Sequence, residues 1–61
     1  MRLKGNLNMK WVINFYHTES MYRAGIISFS LTRMGSREAV YTEAKHLAKV
    51  RGDFMYEIVP V

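Results

Sequence analysis

Two histidines, His17 and His46, one aspartate, Asp53, and four glutamates, Glu19, Glu38, Glu43 and Glu57, are the groups of this chain suited to general acid–base work or metal ligation. Such chemistry requires a nucleophile beside its base, a carboxylate pair, or several ligands held within hydrogen-bonding reach. The spacing offers none of these. His17 falls in or beside a turn, His46 on the polar side of a helix, and the carboxylates are dispersed. No HExxH, CxxC or Gly-rich phosphate loop occurs. A layer built from 61 residues also has little volume for a cleft of roughly 300 Å3 or more. The reading is a non-enzymatic chain: catalytic residues none, metal site none, cofactors none, and no small-molecule substrate.

Cations offer a second chemistry. Nine Lys/Arg against five Asp/Glu give a formal charge of +4 and a pI near 9.8, a balance that favours phosphates or an acidic protein surface. Arg2, Lys4 and Lys10 lie on or beside the leading tail, and Arg33 and Arg37 flank the entry to a helix. These five are the candidate nucleic-acid contacts, with Tyr16 as an aromatic on the same sheet face for stacking. Lys45, Lys49 and Arg51 occupy the last turns of that helix, where its dipole favours cations, and read as a solvated face. No zinc module, paired stacking aromatics or helix-turn-helix accompanies them.

The elements that must position these groups follow from periodicity. Residues 1–9 read as a flexible basic N-terminal arm and 10–61 as one domain. From Lys10 to His17, Trp11, Ile13 and Phe15 alternate with Lys10, Val12, Asn14 and Tyr16, the pattern of a half-buried strand. His17 to Ser20 reads as a turn. A second strand, Gly25 to Arg33, sets Ile27, Phe29 and Leu31 against Ile26, Ser28, Ser30 and Thr32, with Gly25 at a bulge or a close backbone approach. Ser36 is placed to cap a helix reaching Arg51; Val40, Ala44, Leu47 and Ala48 form its apolar stripe, with Tyr41 at the margin, and Gly52 ends it. A third strand, Asp53 to Val59, puts Phe54, Tyr56 and Ile58 toward the helix, because the other parity would bury Glu57.

The predicted fold is α+β: a single small ββαβ domain with a three-stranded antiparallel sheet, order 2-1-3, and one helix packed on one face. A right-handed crossover brings the third strand beside the first. One helix covers one sheet face, so Val12, Tyr16, Ile26, Met55 and Val59 are left on the other, and an uncovered apolar patch marks a partner surface. Open edge strands offer a second route to association. A chain of this length buries only about 60% of its unfolded surface. It has no cysteine for a disulfide, which leaves oligomerisation as a stabiliser.

The ββαβ order, the Trp-led first strand, the Ser-capped helix and the ending Ile-Val-Pro-Val make Lys10 to Val61 similar in layout to small bacteriophage proteins that inhibit a host enzyme. That resemblance implies a regulator or inhibitor acting by protein contact. The function expected is a small basic binding protein that engages a protein partner, or a second copy as a homodimer, with nucleic-acid binding as the alternative. No apolar run approaches a membrane span and no secretory h-region is visible. A cytoplasmic protein with no membrane partner is expected.

Overall fold

The computed structural model describes residues 9–61. Its elements are β1 (Met9–Tyr16), α1 (Glu19–Ala24), β2 (Phe29–Gly35), α2 (Arg37–Arg51) and β3 (Met55–Pro60), with the strands in the order β2-β1-β3. Both neighbouring pairs are antiparallel. The architecture is therefore the predicted α+β sheet with a helix packed on one face, together with one short helix, α1, that the periodicity does not predict.

Alternation along β1 builds the core. Trp11, Ile13 and Phe15 are buried on the helix side. The register sets Arg33, Leu31 and Phe29 of β2 opposite them, and Pro60, Ile58 and Tyr56 of β3 on the other flank. α2 lays Val40, Ala44 and Ala48 onto this surface, with Leu31, Leu47, Tyr56 and Ile58 packed around the centre. The small alanines let the helix approach the sheet. The Trp11 indole reaches the end of β2, where Nε1 donates to the Gly35 carbonyl at 3.0 Å.

Both ends of α2 follow the capping signals. The Ser36 hydroxyl accepts from the Ala39 N–H at 3.1 Å. Gly52 closes the helix at φ 79°, a left-handed conformation that costs a residue with a Cβ about 1–2 kcal/mol. Tyr41, at the stripe's margin, places its ring 5.9 Å from that of Tyr56.

Five local expectations are corrected. Thr18 is an N-cap, accepting from the Met21 N–H at 3.2 Å, and opens α1. Gly25 is the left-handed C-cap of α1 at φ 73°, not a strand bulge. β2 consequently starts at Phe29 and runs to Gly35, which leaves Ile26 and Ile27 in the connection, 55% and 45% exposed. Phe54 precedes β3 and breaks its parity: the ring lies 6.0 Å from that of Tyr22 instead of under α2. Met9, assigned to the arm, pairs with Gly35 within β1.

Candidate functional site

The sheet face away from α2 is arranged in rows across the three strands. Register places Thr32, Val12 and Val59 in one row, Ser30, Asn14 and Glu57 in the next, and Tyr16 beside Met55 in a third. The middle row is a connected polar network. The Ser30 hydroxyl donates to Asn14 Oδ1 at 2.8 Å, Asn14 Nδ2 donates to Glu57 Oε2 at 3.1 Å, and the Tyr16 hydroxyl donates to the same oxygen at 2.8 Å. Asn14 is buried, so these bonds satisfy an amide that burial would otherwise leave costly. The hydrogen bond to Glu57 raises the Tyr16 phenol above its ordinary value, with burial and the Glu57 charge acting in the same direction.

The five residues predicted for a partner face have separate fates. Val12 is half-buried and Val59 is 40% exposed, side by side in their row. Met55 is half-buried opposite Tyr16. Tyr16 is not open: α1 lays Tyr22 edge-on against it at 5.2 Å, leaving it 7% exposed. Ile26 belongs to the α1–β2 connection and not to the face. α1 thus closes one end of the face, the polar row divides it, and Val12, Val59, Thr32 and the exposed Met34 remain at the other end.

Among the described residues, the predicted nucleic-acid contacts Lys10, Arg33 and Arg37 do not converge. Lys10 and Arg33 have opposite parity across the β1–β2 register and project from opposite faces. Arg33 is engaged, its Nε donating to Glu43 Oε2 at 2.8 Å on α2. Arg37 is exposed in the first turn of α2. Arg2 and Lys4, with the rest of residues 1–8, lie outside the described residues.

A cluster that the spacing did not announce closes the end of the sheet near α1. Asp53, its carboxylate fully enclosed, accepts from Arg51 Nε at 2.7 Å and lies 3.4 Å from His17 Nδ1. Arg51 also lays its guanidinium over the rings of Phe29 and Phe15, 4.4 Å and 5.2 Å from their centroids. The cation that helix periodicity assigned to solvent is therefore a strap over the β2 end of the core. The detectable signal is the motif Arg-Gly-Asp at a helix end, where the αL glycine turns the aspartate back toward the arginine.

The edges of the sheet differ. Pro60, which has no N–H, stands opposite Trp11, and the Val61 N–H donates to the Lys10 carbonyl at 3.0 Å. In an antiparallel pair, hydrogen-bonded positions alternate with non-bonded ones. Lys10, Val12, Asn14 and Tyr16 therefore bond β3, and Met9, Trp11, Ile13 and Phe15 bond β2. It follows that Ser30, Thr32 and Met34 turn their backbone groups away from β1. β3 turns out Tyr56, Ile58 and Pro60, and the proline removes one of its donors. The outer edge of β2 carries no proline and pairs with no strand among the described residues. Alongside that edge lie Ile27, Phe29 and Met34, 45%, 40% and 62% exposed.

Comparison with protein-family models, with curated proteins and with solved structures finds no match to this chain.

Proposed function

We propose that this chain is a small non-enzymatic binding protein, a regulator or inhibitor, whose contact surface is the outer edge of β2 with the apolar side chains beside it. The observation that carries this reading is the edge itself: outward backbone donors and acceptors at Ser30, Thr32 and Met34, unblunted by proline and flanked by exposed Ile27, Phe29 and Met34. Strand addition recognises a partner through such backbone groups and takes specificity from alternate side chains. The open face contributes less, because its centre is occupied by the Ser30–Asn14–Glu57–Tyr16 network and one end by α1.

The test is capture of a protein partner from the native host by the parent chain, Thr32→Pro and Val12→Glu. Capture lost in Thr32→Pro and kept in Val12→Glu supports the edge. The reverse pattern moves the site to the open face, and equal capture by all three removes both surfaces. Nucleic-acid binding, the alternative, rests on net charge and on the exposed Lys10 and Arg37.

A further inference from the structure

We infer that the occupant of the β2 edge is the β2 strand of a second copy of this chain, paired antiparallel about a two-fold axis normal to the sheet, so that two three-stranded sheets join into one of six strands. The inference rests on the binding role proposed for that edge and names the partner. Its first support is self-complementarity. With Leu31 on the axis, Ser30 of one copy faces Thr32 of the other, and both turn their backbone groups outward, so each pair can exchange N–H and carbonyl bonds in both directions.

The side chains on the helix side fit the same register. Leu31, half-buried in one chain, meets Leu31 of the other at a close, non-bonded position. Phe29 faces the aliphatic stem of Arg33, whose guanidinium is already held by Glu43 of its own chain. Ile27, 45% exposed just ahead of β2, faces Gly35, where no side chain obstructs it. Shifting the axis to Thr32 would oppose Leu31 to Arg33 and separate the two leucines, which buries less apolar surface.

The second support lies in what flanks the edge. A two-fold normal to the sheet keeps both α2 helices on one side, with the β2 strands as the floor between them. Helical spacing turns Glu43, Leu47 and Val50 to the β2 side of α2, and Val50 is 69% exposed. Pairing β2 strands covers Phe29, Leu31 and Ile27 and brings the two Val50 side chains toward one groove. The β3 edge does not offer this, since Pro60 blocks its ladder.

The experiment is sedimentation equilibrium of the full chain. The parent should be a concentration-dependent dimer. Thr32→Pro removes one outward donor per copy without touching the β1 ladder, and should weaken the dimer by about tenfold to a hundredfold with the far-UV circular dichroism retained. Because proline could unfold the strand, a second measurement is independent of it. The chain has no cysteine, so mixing Ser30→Cys with Thr32→Cys and adding a short bis-maleimide should cross-link the mixture more than either variant alone.

A monomeric parent overturns the inference, and so does a dimer for which Thr32→Pro is folded and equally tight or the mixed cross-link is not enriched. A monomeric parent that captures a protein partner, with capture lost in Thr32→Pro, overturns the dimer and leaves the edge-binding role standing. A monomeric parent whose capture does not depend on Thr32 overturns both.

Discussion

Arg51 shows how a residue's type and its surroundings divide the work. Its position in the last turn of α2 suits the helix dipole, but the side chain folds back over Phe29 and Phe15 and bonds an enclosed Asp53 carboxylate. Arg51→Ala should cost about 1–3 kcal/mol in urea denaturation, since it strips ring cover and leaves a buried acceptor short of a donor. Arg51→Lys should recover only part, because an ammonium can keep the charge but not the planar stack. Tyr16 makes a pH prediction. Its raised phenol pKa means the folded state holds that proton more tightly than the unfolded chain does. The resulting stability is present below the ordinary phenol value near 10 and is lost as pH climbs through the folded one. Denaturation curves of parent and Tyr16→Phe should therefore converge in the alkaline range and differ below it; a constant difference across that range would remove the Glu57 bond as the cause.

At the scale of elements, α1 is the informative case, because its signals were all legible one by one. Thr18 caps, Glu19 sits in the first turn and pairs with Arg23 four residues on, and Gly25 closes in the left-handed region. Six residues with no buried side chain carry no amphipathic stripe, so periodicity, which identified α2 at once, had nothing to report. The consequence for the site is direct, since Tyr22 on α1 covers Tyr16. Thr18→Ala should destabilise this helix by about 1 kcal/mol. Hydrogen exchange should show faster amides at Tyr22, Gly25 and Ile26, whose N–H groups bond within the cap and turn, while the β1 ladder stays protected. Uniform acceleration across the sheet would mean that α1 is instead integral to global stability.

For the whole molecule, the question is how a basic charge and a sheet are distributed. Arg23, Arg33 and Arg51 are each paired with a carboxylate, and Lys10 projects from the face opposite Arg33. Binding to random duplex DNA should accordingly be weak at low salt and show a shallow dependence on salt concentration, as few phosphates are met at once. A steep slope would favour the nucleic-acid alternative. The sheet's asymmetry argues the other way, toward strand pairing at β2, because one edge carries Pro60 and the other pairs with no strand among the described residues. No helix among the described residues is long and apolar enough to cross a membrane.

Alternation in β1, the cap-to-cap stripe of α2 and the parity forced by Glu57 were enough to determine the α+β class and which side of each strand faces α2, and the right-handed crossover rule added the strand order. These are local patterns read against one requirement, that apolar residues leave water. Tertiary structure alone decided which outward residues stay outward. Tyr16 is covered by a helix that has no stripe of its own, Phe54 follows Tyr22 instead of its strand, and Arg51 and Asp53 meet across a glycine turn. Each of these depends on contacts between segments whose spacing in the sequence carries no period, and on the hydrogen-bond phase of β1, which turns Pro60 toward one edge and leaves Thr32 open on the other.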